Sequence, residues 1–278
     1  MSTNCFTNAT VIVTGGASGM GEALCLEAGR RGARIVVADR DGDGARRVAA
    51  AVGAAGGRAQ AMTVDVTDAG QVQGLVDETV SAHGRLDYLF NNAGIGFAGD
   101  ARDTTLEQWR HVIDVDLMGV IHGTVAAYPV MVRQASGHIV NTASAAGMMP
   151  MAPFTPYCAA KFGVVGLSTA LRQEAAALGV RVSVVCPGSV ATSIFGSAIV
   201  VNLPRERFFS SAPFEQITSQ AAALAILHGV ERNDQYIVFP RQMRLLWWLY
   251  RLSPALFDRL AARQTAQWRE MRGANGGG

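Results

Sequence analysis

The sequence predicts an α/β fold, a doubly wound parallel sheet in a three-layer α/β/α arrangement, from three observations. Short β-branched runs alternate with longer Ala- and Leu-rich stretches, the order that strand–helix–strand crossovers produce. Of the 278 residues 49% are apolar, ample for a core buried on both faces of a sheet. A glycine cluster follows the first run and opens the first helical stretch.

In chain order, strands are expected at residues 10–13, 34–37, 61–64, 86–90, 138–140, 182–185 and 236–239. Helices are expected near 20–31, 43–55, 69–83, 105–134 and 157–178. No linker interrupts the alternation, so residues 1–240 read as one domain and 241–278 as an amphipathic helical extension ending in a Gly-rich tail.

Ligands of such sheets bind beyond the carboxyl ends of the strands. After the first strand comes Thr14-Gly15-Gly16-Ala17-Ser18-Gly19-Met20-Gly21, where glycines permit a tight turn and let backbone N–H groups approach a pyrophosphate at a helix N-terminus. The cluster matches what a Rossmann-type phosphate loop would need. Asp39, ending the second strand, is placed to accept hydrogen bonds from an adenosine ribose, and its charge disfavours a 2′-phosphate. Arg40 argues the other way, so NAD is the first choice of cofactor and NADP the second.

Lys161 is the only lysine in a chain whose other basic side chains are arginine. A compact ammonium kept at one position points to a task that Arg's planar fork cannot perform. It follows Tyr157 by one helical i, i+4 step, about 6 Å along the axis and on the same face. An ammonium nearby favours the phenolate of a group whose free pKa is about 10, so Tyr157 is the candidate acid and base for an alcohol or carbonyl oxygen.

With these residues in place, the chain resembles the short-chain dehydrogenase/reductase family over residues 6–240. The motifs that carry the resemblance are the 14–21 loop, Asp65-Val66, Asn91-Asn92-Ala93-Gly94, Ser144, Tyr157-x-x-x-Lys161 and Pro187-Gly188, in that order. The resemblance implies a hydride-transferring oxidoreductase acting on a secondary alcohol or its ketone. It implies that Asp65 and Val66 contact adenine, and that Asn91, Ala93 and Gly94 line the middle of the cofactor. Pro187, Gly188, Val190 and Thr192 would then hold the carboxamide end of the nicotinamide. Ser144 would orient the substrate oxygen, and Lys161 would bind the nicotinamide ribose while lowering the Tyr157 pKa. Homodimers or homotetramers are the expected assemblies. One departure stands out: the family usually carries Asn where this chain has Asp116, a position that helps hold a proton relay to the lysine. A charge there would stabilise protonated Lys161 and shift alcohol oxidation toward alkaline pH.

Met148, Met149, Met151, Phe154 and Phe195 lie in the segments expected to shape the substrate pocket, and they suit a bulky apolar alcohol or ketone. Ile194, Phe208 and Phe209 add to the apolar character of the second segment. A net charge of +2 with scattered basic residues gives no nucleic-acid footprint. Cys5, Cys25, Cys158 and Cys186 stand far apart and the five histidines show no ligand spacing, so neither disulfides nor a metal site is expected. The polar, uncharged start leads to an expectation of a cytoplasmic protein. The extension, with Leu245-Leu246-Trp247-Trp248-Leu249-Tyr250 among arginines, is too short to span a bilayer and is read as pocket cover or subunit contact ahead of a membrane-surface contact. The competing readings are an NADP-dependent reductase of carbonyl or acyl-thioester substrates and a non-catalytic cofactor-sensing or scaffolding protein on the same fold.

Overall fold

The structure is a computed structural model, and it describes residues 5–192, 194, 198–206 and 216–273. Its elements in chain order begin with β1 (Thr10–Thr14), α1 (Gly19–Arg30), β2 (Arg34–Asp39), α2 (Gly42–Ala54), β3 (Arg58–Thr63), α3 (Ala69–His83) and β4 (Tyr88–Asn91). They continue with β5 (Phe97–Gly99), α4 (Leu106–Ile113), α5 (Gly119–Arg133), β6 (Gly137–Thr142), α6 (Thr155–Ala175), β7 (Val180–Pro187), β8 (Val190–Ala191) and β9 (Ile199–Val201). The described elements end with β10 (Ile217–Thr218), α7 (Ser219–Glu231), β11 (Tyr236–Phe239), α8 (Arg241–Leu252) and α9 (Pro254–Gly273).

Seven strands form the main sheet in the order β11-β7-β6-β4-β1-β2-β3, every neighbouring pair parallel. The expected doubly wound sheet is therefore what the chain builds. Period-two alternation sorts the side chains to its two faces. Val11, Val13, Ile35 and Val37 meet α1, α2 and α7 through Leu24, Cys25, Val48, Val52, Ile226 and Leu227. Ile12, Val36, Leu89 and Ile139 meet α3, α5 and α6 through Leu75, Val76, Ala127, Met131 and Leu171. All five residues of β1 are buried, which explains its unbroken β-branched run.

Strand order reverses at β1, between β2 and β4, the point at which sheets of this kind place a ligand crevice at the carboxyl ends. The glycine loop and the Asn91–Gly94 segment flank it from the two strands.

Of the differences from the sequence expectation, three have a plain physical reason. The third strand starts at Arg58 and stops at Thr63, because its half-exposed edge position needs no apolar run. The expected 105–134 helix is two α-helices joined by a π-turn, Asp114–Met118, whose extra residue per turn leaves no mark on hydrophobic periodicity. β5 was not anticipated. Among the described residues it pairs only with β9 and owes its existence to that distant partner.

The extension folds back as α8 and α9. Met243 is buried against Ala145 and Met149, with Val238, Leu246, Tyr250 and Phe257 packed around them. A Cβ at Gly188 would lie 2.7 Å from Met243 Cγ, so α8 rides directly on the loop leaving β7. Trp268 of α9 is buried among Ala98, Leu203, Phe154 and Val200.

Candidate active site

The glycine loop is held by the strand next to its own. Thr14 Oγ1 donates to the Phe90 carbonyl and accepts from Asn92 N at 3.0 Å and Ala93 N at 3.1 Å. Asn92 Nδ2 donates to the carbonyls of Thr14 and Gly15 at 3.0 and 3.3 Å. Gly15 has φ +64°, and a Cβ there would stand 2.7 Å from Ala93 Cα, so this position has room only for glycine. A Cβ at Gly21 would run into the Gly15 carbonyl. Ser18 caps α1 and Met20 packs partly into the core beside it. Gly19 approaches Thr192, bringing the loop after β8 to the start of α1.

Asp39 ends β2 with Oδ2 accepting from Ala17 N and Oδ1 from Asp41 N, both at 3.0 Å, which turns the carboxylate toward the glycine loop. Arg40 beside it is exposed. Asp65 Oδ1 accepts from Thr67 N and Thr67 Oγ1, and these bonds hold its carboxyl below the usual carboxylate range. Val66 packs against Gly119 at the start of α5. Pro187 and Gly188 end β7, with Gly188 N donating to the Phe239 carbonyl, and Val190 is buried in the β8–β10 ribbon.

A narrow cradle that added methyl groups would fill, amide groups at a helix start and a ribose-facing carboxylate are what a dinucleotide needs. Asn92 Oδ1 is buried beside this cradle without a hydrogen-bond partner, as expected of an acceptor left for a ligand. The residues therefore fit the group.

Asn91 has a structural part beside the one expected of it. The Asn91 side chain is buried and engaged, donating through Nδ2 to Asn141 Oδ1 at 2.9 Å and to the Val120 carbonyl, while Asn141 continues to Ser168. It ties β4, β6, α5 and α6 together below the crevice and has only its backbone to offer a cofactor.

Tyr157, Lys161 and Asp116 converge where α6, the π-turn and the exit of β4 meet. Lys161 Nζ lies 5.5 Å from the Tyr157 ring centroid, donates to the Thr142 carbonyl at 3.1 Å and sits 3.4 Å from Asp116 Oδ1. Lys161 is 3% exposed and Asp116 0%, which makes this a buried ion pair. Asp116 Oδ1 also accepts from Ile95 N at 2.9 Å, whereas Oδ2 has no partner. Gly94 faces both charges, since a Cβ there would be 2.8 Å from Asp116 Oδ1 and 3.4 Å from Lys161 Nζ. Burial pushes the Asp116 carboxyl up, opposed by the ammonium and the Ile95 N–H. Burial likewise pushes the Tyr157 phenol above its usual value, the Asp116 charge adds to this, and a hydrogen bond with Ser144 pulls the other way. Lys161 is thus shared between Tyr157 and Asp116, and the net shift of the phenol, from burial and the Asp116 charge, is upward. Ser144 is half-buried at the end of β6, its Oγ accepting from Ala146 N and capping a single 3₁₀ turn, Ala145–Gly147.

On the substrate side the methionines separate. Met148 belongs to the core with Val120, Val164 and Val184, and Met149 is covered by α8, so neither lines an open pocket. Their positions follow from the 3₁₀ turn, which points both inward. Met151 is half-buried and Phe154, the residue preceding α6, packs on Trp268. Phe195, Phe208 and Phe209 lie outside the described residues. Sequence reading gives no role to Asn92, named only within its motif, and none to Thr142 or Trp268. The doubled Asn91-Asn92 was a readable signal for the first, whereas the carbonyl of Thr142 and the return of α9 leave none.

A family model described as short chain dehydrogenase matches residues 9–199. A protein named as an oxidoreductase, SadH, from Mycobacterium tuberculosis is 30% identical over 268 residues, covering 95% of this chain and 97% of the relative. Meso-2,3-butanediol dehydrogenase from Serratia marcescens is 38% identical over 189 residues, 68% of this chain and 74% of that one. The crystal structure of a short-chain dehydrogenase/reductase from Burkholderia phymatum in complex with NAD superposes with a TM-score of 0.83 at 27% identity, covering 90% of this chain and 95% of that one.

Proposed function

The chain belongs to the short-chain dehydrogenase family, an oxidoreductase therefore, and from that premise we propose that it interconverts an apolar secondary alcohol and its ketone with NAD. The observation that carries this reading is the convergence of Tyr157, Ser144 and Lys161 at the carboxyl edge of the sheet, beside the glycine loop. The butanediol dehydrogenase among its relatives supports an alcohol substrate, and Asp39 turned toward the glycine loop supports NAD.

The residues that would hold the dinucleotide are the 15–21 loop, Asp39, Asp65, Val66, Ala93, Gly94 and the 187–192 segment. Bound there, it supplies the hydride acceptor for oxidation or the donor for reduction. The Tyr157 hydroxyl exchanges a proton with the substrate oxygen, and the Ser144 hydroxyl hydrogen-bonds the same oxygen and fixes its position. Lys161 holds positive charge behind the phenol, tethered by the Thr142 carbonyl, and Asp116 holds the ammonium in place. A phenol kept protonated near neutrality is a proton donor, so reduction is favoured at neutral pH and oxidation at alkaline pH.

Turnover of hydrophobic secondary alcohols with NAD against NADP tests the proposal. We expect NAD to be preferred by at least about tenfold, from charge repulsion at Asp39. Equal or better use of NADP would favour the second reading, a carbonyl or acyl-thioester reductase, for which exposed Arg40 is the supporting feature. Tyr157→Phe should lower kcat about 100- to 10,000-fold while cofactor binding persists, the loss expected for one general acid–base group.

A further inference from the structure

α8 carries apolar side chains on two opposite sides. Met243, Leu246 and Tyr250 face inward onto Ala145, Met149 and Phe257. Leu245, Trp248 and Leu252, at helical spacings of three and four, face outward and are 73%, 54% and 79% exposed. Leu256, at the start of α9, extends this apolar surface and is 44% exposed. A helix whose packing is satisfied by one face ordinarily turns mainly polar residues to water on the other, whereas this one turns two leucines and a tryptophan there among its arginines.

The charges around the stripe say what covers it. Arg241 and Arg244 are exposed on the outward side and Arg251 flanks it, stacked over Trp247 at 5.3 Å. No acidic residue occurs between Asp234 and Asp258. A second copy docking this patch on itself would bring arginine to arginine without a carboxylate to pair them. An anionic bilayer surface offers the missing charges to the guanidinium groups and an interfacial layer that suits Trp and Leu. We propose that the outward face of α8 docks on anionic lipid, laying the helix in the headgroup region while its inward face stays on the 145–149 turn. This inference does not depend on which substrate or cofactor the site takes.

Full-length protein is sedimented with phosphatidylcholine vesicles, with and without phosphatidylglycerol. It should pellet with the anionic vesicles, stay in solution with the neutral ones, and be released by high salt. Leu245→Ser with Leu252→Ser, and separately Arg241→Gln with Arg244→Gln, should each weaken pelleting at least about tenfold with unchanged thermal unfolding. Because both pairs are exposed, folding is retained, and unfolding midpoints verify it. Failure of the wild-type protein to pellet overturns the proposal. So does a stable oligomer, measured by light scattering, that the Leu245/Leu252 variant breaks apart while vesicles bind neither protein, since that assigns the face to a second copy.

Discussion

A carboxylate buried beside Lys161 sets the expected pH behaviour of Tyr157. Its negative charge disfavours the phenolate, so Asp116→Asn should lower the apparent pKa governing alcohol oxidation and move the pH–rate profile to lower pH by about one unit. Asn keeps an oxygen for Ile95 N, so the fold should survive the change. A profile that stays where it was would remove Asp116 from the proton chemistry. His138 makes a second pH prediction, on stability. Burial, reinforced by Arg181 and Arg172, lowers its pKa to about 3 from an unfolded value of 6.5. The unfolded chain therefore binds the proton first as pH falls. The contribution from neutral His138 is complete above pH 6.5 and declines toward pH 3, by about 1.4 kcal/mol per pH unit at most. His138→Asn should flatten the dependence of unfolding free energy on pH over that window, and an identical slope would contradict the assignment. Tyr157 and Lys161 were legible because their spacing and the single lysine mark them. Of the partners of Lys161, Asp116 was expected from the family resemblance, whereas the Thr142 carbonyl was not, because a backbone carbonyl on another element reaches the lysine only through the fold.

At the scale of elements, the contact of α5 with β4 is the most constrained. Gly123 presses on the Asn91 side chain, which is fixed by Asn141 and the Val120 carbonyl. Gly123→Ala should cost about 1–3 kcal/mol by overpacking despite alanine's better helix propensity, read as a lower unfolding midpoint. An unchanged midpoint would mean that α5 can shift without loss. Strands and helices were readable in order because period-two and helical periodicities report burial directly, as all-buried β1 illustrates. The π-turn, β5 and the inward course of Met148 and Met149 were not, since each is fixed by a partner distant in sequence.

For the molecule as a whole, the extension is the element on which site integrity turns. Removing residues 241–278 would strip Met243, Leu246 and Tyr250 from Ala145 and Met149, and Trp268 from Phe154 and Ala98. The truncated chain should unfold at lower temperature and lose activity through the loosened Ser144 turn, measured by calorimetry and by kcat/KM. Full activity in a truncated chain would make the extension dispensable to the site. Trp268 separates packing from polarity. Trp268→Ala should destabilise by about 3–5 kcal/mol, whereas Trp268→Phe, which deletes an indole N–H buried without a partner, should be far milder.

Ser144 entered only through the family resemblance; what the sequence determined by itself is the parallel α/β architecture, the glycine loop with Asp39, and the spacing that pairs Tyr157 with Lys161. Each is local: periodicity, turn chemistry and an i, i+4 step are written within one element and its exit. What only the tertiary structure decided is the state of those groups. The burial of the Lys161–Asp116 pair, the engaged Asn91, the buried methionines and the packing of the extension on the 145–149 turn arise between elements far apart in the chain. Burial and charge there depend on the summed packing of the fold, which no single stretch of sequence contains.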